Sequence, residues 1–184
     1  MSIPWRNTAE RFGGIAQLFH WAIVALIITQ FVLASFMDDL PLKQKIATIN
    51  WHKWLGMTVL MLAVLRVLWR LTSTVPPLPS ITPAWQRLAA HGSHTLLYAL
   101  IFLQPLSGWL MSSARNFPVS WFGLFTFPDL ISPDRKLYER LHDIHEISAT
   151  ALLIVAVVHA LAALKHHFYD RDNVLRRMLP VRLK

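Results

Sequence analysis

Four histidines stand where histidine is expensive. His20, His52, His145 and His159 lie inside or at the ends of long apolar stretches. An ionisable side chain at that depth is costly and usually functional. His145 and His159 are separated by 14 positions. At about 100° per residue the second falls about 40° short of four full turns, so one helix face carries both, about 21 Å apart along the axis. Depth pairs the other two with them. His20 is level with His159 towards one membrane face, and His52 is level with His145 towards the other. An imidazole from each of two facing helices is the ligation of a bis-histidine haem. Two such sites, stacked across the bilayer, form a path for electrons. Zinc is the competing metal, but it needs four ligands at one depth, and these pairs have no carboxylate or thiolate beside them.

Other polar residues surround this frame. His91 and His94 are one turn apart at the start of the third apolar stretch. His94 is deep enough to compete as an inner ligand, to cover a haem edge or to line a quinone pocket, with packing as the plain alternative. Arg87, near the same mouth, is a second quinone candidate. Arg66 and Arg70 are i, i+4 on the second stretch; they either snorkel to the interface or, for the deeper Arg66, pair with a propionate of the inner haem. Lys53, beside His52, offers the same on the outside. With Arg115 it also offers a local positive site that would steer a small anion. His142 points about 100° away from the face shared by His145 and His159, which places it at the outer interface. His166 and His167 follow Lys165 and read as solvated boundary residues.

The elements that must position these groups are membrane spans. Hydrophobic residues make up 54% of the 184 residues and charged ones only 15%, against about 25% charged in a soluble domain. About 20 apolar residues cross the hydrocarbon as a helix. Four stretches qualify, over about 15–37, 50–71, 88–112 and 143–166. Residues 74–83, with four prolines, cannot continue a helix. Residues 116–134, with Pro118, Gly123, Pro128 and Pro133, read as a structured outer loop whose WFGLFTF core suits an interface. The expectation is an all-α membrane protein, residues 1–184 forming a single integral-membrane domain with a four-transmembrane-helix bundle. Eleven of the 18 Lys and Arg residues fall on the side of the two termini and the 74–83 connection. That side is therefore expected to be cytoplasmic, and the net charge of +8 reads as membrane topology rather than nucleic-acid binding. The absence of cysteine excludes disulfides, cysteine-ligated clusters and covalently attached c-type haem.

Seven short motifs, in order along nearly the whole chain, resemble the bacterial cytochrome b561 family, which is related to the cytochrome b subunits of nickel-iron hydrogenases. They are LFHW (18–21), NWHKWLG (50–56), LRVLWRL (65–71), HGSHTLLY (91–98), LQPLSGWLM (103–111), HEISA (145–149) and VVHALAALKHHFYDRDNVLRRMLP (157–180). The resemblance implies two haem b groups, with His20, His52, His145 and His159 as axial ligands, in a multi-pass protein of the bacterial inner membrane. It also implies an oxidoreductase that takes electrons from periplasmic superoxide and gives them to ubiquinone. The alternatives are a cytochrome b subunit linking a periplasmic dehydrogenase to quinone and, from a different class, a non-redox membrane transport or assembly protein. Ascorbate-reducing relatives with six spans are excluded by the span count.

Overall fold

The computed structural model describes residues 4–79 and 82–180. Four helices dominate: α1 Gly14–Phe36, α2 Leu42–Leu71, α3 Ala84–Ala114 and α4 Arg135–Phe168. Each is long and apolar enough to cross a membrane. Large apolar side chains such as Ile28, Val32, Leu68, Ile154, Val158 and Leu161 remain exposed on the outside of the bundle. That is the expected exterior when the surrounding solvent is lipid rather than water.

The helix ends follow local chemistry. Gly13 precedes α1 in extended conformation. A Cβ there would stand 2.4 Å from the carbonyl carbon of Arg6, so only glycine fits. Proline precedes α2 (Pro41) and α3 (Pro83). At the start of α4 the carboxylate of Asp134 accepts the Leu137 N–H at 3.0 Å, a side-chain cap. Asn116, with φ 55°, ends α3 in the left-handed conformation that asparagine tolerates.

Helices α2 and α4 start about two turns earlier than hydropathy alone predicts, and α3 about one turn. The apolar stretches place the ends of the first and third connections at residues 50 and 143, yet α2 begins at Leu42 and α4 at Arg135. The extra turns carry Lys43, Lys45, Arg135, Lys136 and Arg140, which are too polar for hydrocarbon but unobjectionable in a helix standing in water. The 34 residues of α4 make a rod about 51 Å long against about 30 Å of hydrocarbon.

The outer loop contains a small antiparallel hairpin, β1 Val119–Trp121 and β2 Phe125–Phe127, with Trp121 paired to Phe125. Its turn uses positive φ at Phe122 (48°) and Gly123 (73°). The hairpin is latched to α2 by two indoles: Trp54 donates to Ser120 Oγ at 3.1 Å, and Trp121 donates to Thr58 Oγ1 at 3.1 Å.

At the opposite end the segment after α4 folds back under the bundle. The Arg177 carbonyl accepts from Phe12 N at 3.3 Å and from Gln17 Nε2 at 3.3 Å, and the Met178 carbonyl accepts from Trp21 Nε1 at 2.9 Å. Arg177 Nη1 reaches the Pro77 carbonyl at 2.6 Å. The described parts of both terminal segments and of the α2–α3 connection therefore share one end, as four consecutive spans require. Arg182 and Lys184, which enter the Lys and Arg count, and Ser80 and Ile81 of the proline-rich connection lie outside the described residues. The turn that reverses the chain is knit by His166, whose Nδ1 meets Asp172 Oδ2 at 2.6 Å, so His166 is bonded within the protein rather than simply solvated.

Among the described residues, extensive backbone packing runs α1 on α2, α2 on α3 and α3 on α4. The contacts of α4 with α1 and α2 are sparse by comparison. A gap wider than direct helix packing therefore separates α4 from the two helices it faces.

Candidate haem-binding site

The histidines face one another across that gap. His52 of α2 and His145 of α4 have ring centroids 6.2 Å apart, with ring planes crossing at 72°. His20 of α1 and His159 of α4 are 6.4 Å apart, crossing at 77°. Two imidazoles bonded to opposite sides of one first-row metal atom, each at about 2 Å, hold their centroids about 6.3 Å apart. Both pairs have that spacing, and the depth assignment made from helical arithmetic matches the pairs that meet. The donor set is nitrogen alone, which suits an iron whose four remaining positions belong to a macrocycle.

The surroundings of the outer pair are ordered by amide side chains. Gln30 of α1 donates to the His52 carbonyl at 2.9 Å, and Gln104 of α3 donates to the His145 carbonyl at 3.0 Å. Each of these histidine-bearing turns is thus held by an amide bond from a neighbouring helix of the bundle. Gln104 also donates to Ser148 Oγ, whose own hydroxyl donates to the Ile144 carbonyl at 2.6 Å. Ser107 Oγ lies 2.9 Å from His145 Nδ1. Gly108 leaves room for the ring: a Cβ there would stand 3.3 Å from His145 Cε1. His52 Nδ1 is buried without a hydrogen-bond partner, an orphaned polar atom in a place where a prosthetic group would change the surroundings.

The inner pair is more crowded. His94 of α3 lies 5.2 Å from His159, about 1 Å less than a metal bridging two imidazoles requires. His94 is thus in ring contact with His159 rather than opposite it. Arg66 Nη1 stands 3.2 Å from His20 Nδ1. A guanidinium only donates, so Nδ1 accepts and the ring proton rests on Nε2. Ligation through Nε2 requires the guanidinium to withdraw. A perch exists beside it, since Arg66 and Arg70 both lie over the Tyr98 ring, at 5.6 and 6.0 Å. With that movement the inner residues fit the group as well.

The remaining sequence candidates are placed as follows. Lys53 Nζ donates to the carbonyls of Phe117 at 2.9 Å and Pro118 at 2.7 Å, and lies 3.7 Å from the Phe117 ring centre. Its charge is fixed at the base of the outer loop. Arg115 is exposed, donates to Tyr138 Oη at 2.9 Å, and lines a cavity of about 530 Å³ with Asp134, Arg135 and Glu139. Lys53 is not among the residues that line this cavity. Arg87 is exposed on the first two turns of α3, about 10.5 Å below His94 along the axis.

Sequence reasoning missed Gln30, Gln104, Ser107, Ser148 and Gly108. Their one signal was polarity, or a missing side chain, within otherwise apolar spans.

A family profile described as "Prokaryotic cytochrome b561" matches residues 11–181. The chain is 37% identical over 185 residues to "Cytochrome b561 homolog 2" of Escherichia coli, covering 96% of this chain and 95% of that protein. It is 30% identical over 162 residues to "Probable superoxide oxidase CybB" of Yersinia pestis, covering 88% and 91%. Identity is 27% over 166 residues with "Cytochrome b562" of Cereibacter sphaeroides, covering 87% and 89%.

Proposed function

The chain belongs to the prokaryotic cytochrome b561 family, and from that premise we propose that it carries electrons from the periplasmic to the cytoplasmic face of the inner membrane through two haem b groups. Membership gives membrane electron transfer and b-type haem; it leaves no place for the non-redox transport or assembly reading. The observation that carries the finer statement is the pair of cross-helix histidine contacts, 6.2 and 6.4 Å between centroids, set in the gap between α4 and the helices opposite it. His52 and His145 would hold the outer group, and His20 and His159 the inner one. Bis-histidine haem supplies reversible one-electron transfer without an open iron position.

The protein's own residues supply the rest. α4 holds one ligand of each site, and its rigidity fixes the distance between them. Arg66, released from His20, would meet an inner propionate, with Arg70 and Tyr98 beside it. His94 and Arg87, on the inner part of α3, are the residues we assign to ubiquinone. The balanced reaction oxidises two superoxide ions to two molecules of oxygen and reduces one ubiquinone with two electrons and two protons. Superoxide as donor is supported by the likeness to the Yersinia protein described as a probable superoxide oxidase. Steering by Lys53 and Arg115 would bring the anion to the outer site.

A second reading has its own observation. Phe122, Leu124 and Phe125 at the hairpin tip are exposed, a surface on which a periplasmic dehydrogenase could dock and donate instead. One experiment separates the two. In right-side-out vesicles, superoxide generated outside should reduce the haems, and ubiquinone should reoxidise them. The rate should fall as ionic strength rises, because screening shortens from about 30 Å at 0.01 M to about 10 Å at 0.1 M. Reduction only from the inside would reverse the orientation. No reduction from either side would favour the dehydrogenase partner.

A further inference from the structure

The two ligands of the outer site are not equivalent, and the difference lies in one hydroxyl. Ser107 is buried, with 2% of its surface exposed. Its Oγ stands 2.9 Å from the Gln104 carbonyl, one turn back on α3, and 2.9 Å from His145 Nδ1 on α4. A hydroxyl has one hydrogen and two lone pairs. With the hydrogen donated to the Gln104 carbonyl, the oxygen turns a lone pair towards the imidazole. His145 Nδ1 then carries the ring proton and donates it, which leaves Nε2 unprotonated. The same turn of α3 supplies Gln104, which holds the His145 carbonyl, and Gly108, which admits the ring edge. Backbone, ring edge and ring proton of one histidine are thus fixed from a single stretch of α3. By contrast His52 Nδ1 is buried with no partner, and His20 Nδ1 meets a cation.

We propose that Ser107 is a positioning residue that fixes the ring proton of His145 on Nδ1 and lowers the reduction potential of the outer haem. The proposal rests on the reading of His145 as an axial ligand. An N–H donated to a neutral oxygen makes the opposite nitrogen a better electron donor. A stronger donor favours the oxidised iron, so the outer group would hold its electron less tightly and pass it inward.

The test is a redox titration of the visible haem bands in the purified full-length protein, with haem-to-protein ratio measured alongside. Ser107→Ala should keep two haems, move one titration component to a more positive potential and leave the other in place. Ser107→Thr, which keeps the hydroxyl and its bond to the preceding turn, should restore the wild-type curve. Two unmoved components in a fully loaded Ser107→Ala protein would overturn the proposal. If Ser107→Ala loses a haem, the threonine variant decides. Normal loading and potential there support the hydroxyl's role, whereas equal loss there means that side-chain size matters and overturns it. His145→Ala distinguishes this failure from a failure of the ligand reading: it should lose one haem whatever Ser107 does.

Discussion

At the residue scale, the four paired histidines were legible because their chemistry is rare at that depth and their spacing obeys helical arithmetic. Fourteen positions on one helix is a geometric statement that needs no structure. The groups around them were illegible for the opposite reason. A serine, a glycine or a glutamine within an apolar run is as common in plain helix packing as beside a site. Nothing in the one-dimensional pattern says that Ser107 faces His145 rather than lipid. Gly108 shows what that hidden layer controls. A methyl group there would press on His145 Cε1 from 3.3 Å, and the ring lies between that wall and the partner across the gap. Gly108→Ala should therefore twist or displace the imidazole, at an overpacking cost of about 1–3 kcal/mol. The expected result is a perturbed low-spin signal and weaker retention of one haem, with the other unchanged. Absorption and paramagnetic resonance spectra of the variant read this directly, and unaltered spectra from both groups would show that the ring has room to spare.

At the element scale, hydropathy located the four helices but not their ends. It measures where a chain can leave water, whereas helix limits are set by caps, and α2 and α4 continue for about two turns past the apolar limit. The hairpin was legible only as a loop with turn residues, since three-residue strands carry too little alternation to register. The fold-back after α4 left no pattern at all, because its bonds are made by main-chain carbonyls of Arg177 and Met178. The hairpin's attachment is the more exposed to test. Trp54 sits two positions after His52 and bonds Ser120, so its indole N–H, beside the Lys53 bonds to Phe117 and Pro118, joins the histidine-bearing turn of α2 to the outer loop. Trp54→Phe keeps the aromatic contact with Phe122 (5.1 Å between centroids) and removes that bond, worth about 1 kcal/mol. Amide exchange over 119–127 should quicken, while the spectrum of both haems stays as it was. Unchanged exchange would mean that the Trp121–Thr58 bond and the Lys53 bonds hold the hairpin without it.

At the scale of the whole molecule, the architecture is a chain-order bundle in which the last helix stands off from the first two. The packed neighbours α1–α2, α2–α3 and α3–α4 form the wall, and the gap beside α4 is where both histidine pairs meet. A bundle closed by direct packing of α4 on α1 and α2 would press those imidazoles closer than the 6.2 and 6.4 Å that separate their centroids. The central claim is that α4 serves both sites while α1 and α2 serve one each. It predicts a pattern of losses rather than a single loss. His20→Ala and His159→Ala should share one defect in haem content and low-spin signal, and His52→Ala and His145→Ala should share a different one. Each should spare the site about 21 Å away, and His94→Ala should keep both haems. Haem-to-protein ratios and low-spin spectra of these five variants test the account most directly. The pairing predicts two matched defects and one silent variant. If His94→Ala instead matches His159→Ala while His20→Ala retains both haems, the inner group is held by α3 and α4, and the assignment of His20 is contradicted.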